Sequence, residues 1–346
     1  MSTLQIGLAI AGGLLLAAVV AHGAWSARKV APRQAQPSED AMAEEPQEAI
    51  EPRLDAEDFA APAPPPVQPP AERKPGLDAL IDVIAPVALE SEVTGEAAIA
   101  ALPSTRRVGS KPFAVEGLNS ANHAWEAPAA GQRYMSLQAG VQLANRSGAL
   151  NEIEFSEFVA KTQAFCDAVG GTADFPDMLE EVARARELDQ FASGHDAQLG
   201  FTLRARSAAW SPGYVQQQAA RMGFVAGAVP GRMVLPANGP GLPPVLSLSF
   251  DTQAALADDP AQAAVRQVSL ALDVAQVDRS EQPFVRLREV AHGMAQAMDG
   301  VITDDNGQIL PKDTMDAIGG ELEGLYDTLE QRDLAAGSAL ARRLFS

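Results

Sequence analysis

The side chains able to do acid–base, nucleophilic or metal chemistry are spread through this chain in ways that favour none of it. Its four histidines, His22, His123, His195 and His292, are far apart in sequence. They fall at an expected membrane edge, a linker, a loop and a helix, and a lone histidine lacks the companion ligands that a metal site needs. The single cysteine, Cys166, excludes an intramolecular disulfide and any cysteine-rich metal centre, which a reducing compartment permits. Asp304-Asp305-Asn306 has the look of a calcium loop, but the later bidentate glutamate at EF-hand spacing is missing, so it reads as a turn. Glu180, Glu181, Glu187 and Asp189 read as solvated helix faces. No Walker glycine loop, GxSxG elbow, HExxH pair or paired cysteines occurs. The expectation is a binding protein with no catalytic residue, no cofactor and no metal.

Charge narrows the partner. The 346 residues carry a formal net charge of -19, which argues against nucleic acid, because that binding is driven by Lys and Arg displacing counterions from phosphates. With 25 Pro and 28 Gly but only 3 Trp and 3 Tyr, the chain lacks the aromatic content for a core of its full length, so a folded domain plus an extended part is expected.

Hydropathy divides the chain into three parts. The run from Leu4 to Ala21 is uncharged and rich in Leu4, Ile6, Leu8, Ile10, Leu14, Leu15, Leu16, Val19 and Val20. About 20 such residues cross a hydrocarbon core. His22 and Trp25 would sit at headgroup level, and the basic Arg28, Lys29 and Arg33 place the remainder of the chain in the cytoplasm, with the short N-terminus outside. The uncharged Met1–Thr3 and the length of the run favour an anchor (1–27) over a cleaved signal. Gly7, Ala11, Gly12 and Gly13 offer a surface for weak self-association of two spans, or simply face lipid. Residues 28–132 are rich in Pro, Ala and Glu, with Pro62, Pro64, Pro65, Pro66, Pro69 and Pro70 clustered, and read as an extended spacer. Within it, Leu77, Leu80, Ile81, Val83 and Ile84 suggest a short docking helix, and Arg106 to Trp125 a disordered lead-in.

Periodicity returns in residues 133–346. Phe155, Phe158, Val159, Thr162, Phe165, Cys166 and Val169 predict a helix ended by Gly170 and Gly171. Phe201, Leu203 and Ala205, then Leu246, Leu248 and Phe250, then Val268, Leu270, Leu272 and Val274, alternate as strands. Ser211-Pro212 caps a helix; Phe284, Leu287, Val290, Ala291, Met294 and Met298 form another; Asn306-Gly307 predicts a hairpin between Val301–Thr303 and Gln308–Leu310; Met315, Ile318, Leu322, Leu325 and Leu329 mark a last helix. This is an α+β fold, an antiparallel or mixed sheet with helices on one face, whose other face could receive a peptide. The end of the Phe165–Gly171 stretch before Asp174 and Pro176 echoes Ala295–Gly300 before Asp304 and Pro311, by duplication or by a repeated local solution.

The uncharged span running into His22-Gly23-Ala24-Trp25-Ser26-Ala27-Arg28-Lys29, the acidic Pro-rich linker, Pro244–Leu248, and the run from Phe284 through Met298–Asp305 to Leu310-Pro311 together resemble the ZipA family, membrane anchors of the division protein FtsZ. The resemblance covers the anchor and residues 199–330, and leaves Tyr134 to Asp196 as an added or duplicated element. It implies a split β-α-β domain on the inner membrane at midcell that binds the FtsZ C-terminal tail on its open sheet face. The matching positions are Thr202, Arg204, Val229, Ser249, Asp251, Gln253 and Ala271. Ser249 and Ala271 are small and Asp251 is charged where the family carries larger apolar residues, which implies a shallower groove, with Arg204 and Arg206 to meet an acidic tail. A TonB-like energy transducer shares the span, the spacer and a small α+β domain, but has basic residues before the span, which this chain lacks.

Overall fold

In the computed structural model, which describes Arg33, Gln34, residues 76–257, Asp259 and residues 263–346, Val83, Ala85 and Val87 project from one side of strand β1 (Asp82–Leu89) and are fully buried. They belong to an upstream unit made of Glu72–Gln198, Asp273–Glu281 and Ala317–Ser346. Its elements are β1, α1 (Gly95–Ala101), β2 (Lys111–Asn119), β3 (Arg133–Gln142), α2 (Glu152–Val169), β4 (Gly171–Ala173) and α3 (Met178–His195). The main sheet runs β2-β3-β1-β4, antiparallel throughout. Its register sets Val141 between Val83 and Phe113, and Ala139 between Ala85 and Val115, so every second residue enters one core. Helix α2 closes that face. It starts in a capping box between Asn151 and Glu154, and Phe158 meets Phe113, Phe155 and Phe175 at ring-centroid distances of 6.1, 5.9 and 6.0 Å.

The spacer assigned to residues 28–132 is therefore corrected from Gly76 onward, and the boundary at 133 falls between β2 and β3, which pair along their length. Ile81 and Val83 are buried in the sheet, not set on a docking helix, and Arg106 to Trp125 contains β2. Pro86 hides β1 from a sequence reading. It is tolerated because β4 ends at Ala173: the Pro86 carbonyl accepts from Asp174 N at 2.9 Å, and no amide is needed on that side. The expected anchor, Leu4 to Trp25, lies outside the described residues; among those described no helix is long and apolar enough to cross a membrane.

The downstream unit comprises Leu199–Leu272 and Gln282–Asp316, with Arg33 and Gln34. Here β5 (Gln198–Ala205), α4 (Pro212–Arg221), β6 (Val225–Ala226), β7 (Arg232–Leu235), β8 (Leu246–Ser249), β9 (Gln267–Asp273), α5 (Pro283–Met298) and β10 (Gly300–Thr303) give the strand order β6-β7-β8-β9-β5-β10. Phe201, Leu203, Leu248, Val268 and Leu270 are buried beneath Phe284, Leu287, Ala291 and Met294 of α5, with Phe201 and Phe284 in edge contact at 6.3 Å. Ser211 caps α4 with Pro212 at its start, and the indole nitrogen of buried Trp210 donates to Met298 O at 2.8 Å. Arg33 docks beside Trp210 as a parallel bridge: its amide donates to Ala209 O (2.7 Å), its carbonyl accepts from Ser211 N (2.8 Å), and its guanidinium donates to Asp299 Oδ2 at 3.0 Å.

The expected hairpin after β10 is wider than a two-residue turn. Only Gly307 has positive φ (80°), Asp304 Oδ1 accepts from Gln308 N at 2.8 Å, and the returning strand is reduced to one bridge between Thr303 and Ile309. Helix α6 (Lys312–Gln331) comes next, and α7 (Ala339–Leu344) after it.

The echo seen in sequence extends to a plan repeated in the two units: strand, helix, antiparallel strands, long helix, and a short strand returning beside the first. Leu89 pairs with Gly171 as Ala205 pairs with Gly300. Both long helices end in a left-handed residue, Gly170 and Asp299, whose amide reaches the carbonyl four residues back. At one constant offset, the buried Phe155, Phe158, Thr162 and Phe165 of α2 match Phe284, Leu287, Ala291 and Met294 of α5. We read the chain as two copies of this plan.

Truncating Phe158 to Ala should lower stability by about 3–5 kcal/mol in denaturant unfolding, since it empties the centre of the upstream core. Tyr326 of α6 gives a test in the other direction. Its buried hydroxyl has no hydrogen-bond partner among the described residues, and burial, then nearby Glu323, pushes its ionisation up to about 12 from the usual 10.0. The folded pKa being the higher, the linked stability is full below pH 10 and lost as pH climbs toward 12. Tyr326→Phe should match or exceed the parent stability at pH 7 and flatten that alkaline decline in thermal melts.

Candidate functional site

Alternation fixes a second, solvent-facing side of the downstream sheet. Opposite the residues under α5 lie Arg232 and Val234 on β7, Ser247 and Ser249 on β8, Ser269 and Ala271 on β9, Arg204 on β5 and Val301 on β10. The register lines them up in rows: Val234, Ser247 and Ala271 in one, Arg232, Ser249 and Ser269 in the next, with Arg204 beside Val301 across β5 and β10. Ser269 and Ala271 are exposed, Ser247 and Ser249 half-buried, so the floor is small and weakly polar. Exposed Arg204 and Arg232 add positive charge on two of its strands. The Arg204 guanidinium lies against the hairpin turn, where a Cβ on Gly307 would come within 2.9 Å of its Nη1.

The expected site residues divide on this geometry. Arg204, Ser249 and Ala271 share the open face. Thr202 has the same orientation but is buried, paired with Thr303, whose hydroxyl donates to Thr202 O at 3.2 Å. Val229, Asp251 and Gln253 are not on the face. Val229 is exposed in the turn between β6 and β7, its carbonyl accepting from Arg232 N at 3.0 Å. Because β8 ends at Ser249, Asp251 serves instead as the N-cap of a short helix, Thr252–Ala255, accepting from Gln253 N at 2.9 Å. Arg206 is partly committed, its Nε donating to Gly300 O at 3.2 Å. Ser247 and Ser269 are absent from the expected site residues, though the alternation around them points to both; Arg-Met-Val-Leu at β7 carries no such signal for Arg232.

Other polar groups that could do chemistry are engaged in holding the fold. Buried Lys111 donates from Nζ to Ser110 Oγ at 2.7 Å and Asn145 Oδ1 at 3.2 Å, and burial holds its pKa below the usual lysine value. That resembles a Ser–Lys nucleophile pair, but the Ser110 hydroxyl is donated to Glu154 Oε1 (3.2 Å), itself part of the α2 capping box, so the network fastens β2 to α2. Glu181, expected on a solvated face, is buried instead; desolvation raises its pKa, opposed by Arg184 at 3.1 Å. His195 ends α3 stacked on Phe191 at 4.3 Å, and the His292 ring nitrogen lies 2.8 Å from Arg288 O. Among the described residues no three His, Cys, Asp or Glu cluster as a metal site would.

The exposure of this face can be tested with a thiol. Cys166 is buried, and burial pushes its thiol pKa up, so the native parent should react slowly with a maleimide while Ala271→Cys labels rapidly and once per chain. No protein-family model matches the chain, and neither does any curated protein.

Proposed function

We propose that this chain is a membrane-anchored adaptor of bacterial cell division, similar to the ZipA family, that tethers FtsZ by receiving its C-terminal tail on the open face of the downstream sheet. The observation that carries this reading is the floor of exposed Ser269 and Ala271 and half-buried Ser247 and Ser249, with exposed Arg204 and Arg232 beside it, on a sheet whose other face is covered by α5. Small side chains let a peptide backbone come close, and apolar burial there contributes roughly 25 cal/mol per Å², so a shallow floor alone holds a peptide weakly. The two arginines supply the rest, as donors to carboxylates on the tail. The uncharged run from Leu4 to Ala21, with Arg28 and Lys29 after it, supports an inner-membrane tether with the folded part in the cytoplasm. Binding is reversible and involves no bond making, so the task is positional: it holds the filament at the membrane.

Calorimetric titration of the full chain in detergent with a synthetic FtsZ tail peptide should give saturable binding in the micromolar range that a scrambled peptide lacks. Arg204→Glu and Arg232→Glu should each weaken it about tenfold, the size of one charge-assisted hydrogen bond at about 1.5 kcal/mol, and added salt should weaken the parent more than either variant. A folded chain that ignores the tail peptide sinks this reading.

A further inference from the structure

The upstream unit repeats the same plan, yet its corresponding face is not free. There the outward row is Ala114 on β2, Gly140 on β3 and Ile84 on β1, with Glu116, Gln138 and Pro86 in the next. The chain's own residues just before β1 lie across it. Leu77 is seated on Gly140, its two methyl carbons 2.5 and 2.8 Å from where a Cβ would stand. The Leu77 amide donates to Glu116 Oε1 at 3.0 Å, while Gln138 Nε2 donates to Glu116 Oε2 at 2.8 Å and so fixes the carboxylate. The Gly76 carbonyl accepts from Arg343 Nη1 at 3.0 Å, and Arg343 also pairs with buried Asp82. Asp82 in turn accepts from Asp78 N at 2.8 Å, and Asp78 accepts from Leu80 N at 2.8 Å, which shapes the turn back into the strand. Each of the first three contacts has the form of peptide capture: an apolar side chain on a glycine seat, an amide on a fixed carboxylate, a carbonyl on an arginine.

We propose that the upstream face is a second receiving surface whose resident ligand is the chain's own Gly76–Leu80 strap, held in cis and able to exchange. This rests on the receiving-face reading only through the equivalence of the two units. The seat differs in chemistry from the downstream one. Glu116 at its centre selects a free backbone amide beside an apolar side chain and repels an acidic peptide, so the downstream ligand does not compete here. The seating of Leu77 explains why Gly140 stands in the middle of a strand, where glycine otherwise costs conformational entropy.

The test contains no FtsZ peptide, so its failure and that of the adaptor reading are separate. In the full chain, Leu77→Asp should loosen the strap while circular dichroism shows the fold kept. A synthetic peptide copying Gly76 to Asp82 should then bind that variant saturably and the parent at least about tenfold more weakly, since in the parent the seat is filled. Adding Gly140→Ala to Leu77→Asp, which places a methyl in the seat, should abolish the binding. No binding to folded Leu77→Asp, or equal binding to the parent, overturns the proposal. Hydrogen exchange of the unaltered chain decides it independently of any variant: the Leu77 amide should exchange well before those of β1 and β3, through release of the strap alone. If Leu77 exchanges only together with the sheet, the strap is permanent core and there is no second receiving surface.

Discussion

Phe201 against Phe284 in one unit, and Phe113 against Phe158 in the other, decide which side of each sheet is closed. In a strand the side chains alternate, so once one residue is committed to the helix every neighbour's direction is set, and a one-residue slip would turn the whole set outward. The downstream floor of serines and alanine, and the upstream row centred on Gly140, are what remains after that commitment. The helix ends share in it. The left-handed caps at Gly170 and Asp299 turn the chain sharply enough for the next residue to pair beside the first strand of its unit.

The downstream fold was largely legible in the sequence because its signals are local and clean. Leu246 to Phe250 and Val268 to Leu272 alternate without interruption, Ser211-Pro212 is an unambiguous helix start, and the stripe from Phe284 to Met298 has helical spacing. The upstream sheet was not legible, for reasons that can be named. Pro86 breaks the pattern of β1, whose tolerance depends on where β4 stops, a fact of tertiary pairing. Lys111 and Glu116 sit buried in β2, where partners that only the fold brings near, Asn145 and Gln138, help make a charge acceptable. The same limit applies to the candidate site. Alternation brings Arg204, Ser249 and Ala271 to one face, but Asp251 leaves it because a strand end and a helix cap fall within two residues of each other, and no periodicity marks that junction.

Charge differs between the two outward faces. A chain of net charge -19 sets exposed arginines on the downstream floor and a carboxylate at the centre of the upstream one. Two surfaces built on one plan thus carry opposite local sign, while matching core positions of the two long helices stay apolar in both units, Phe155 with Phe284 and Phe165 with Met294. The helix-facing side of each sheet carries the core, and the difference in charge lies on the side that does not support the fold.

Arg33 has a geometric consequence of its own. Its backbone is stitched on both sides, to Ala209 and Ser211, and its side chain to Asp299. Whatever precedes Arg33 is thereby leashed to the downstream unit at a fixed point, set by Ala209, Ser211 and Asp299. Seven residues separate Trp25 from Arg33, a tether of at most about 3.5 Å per residue step.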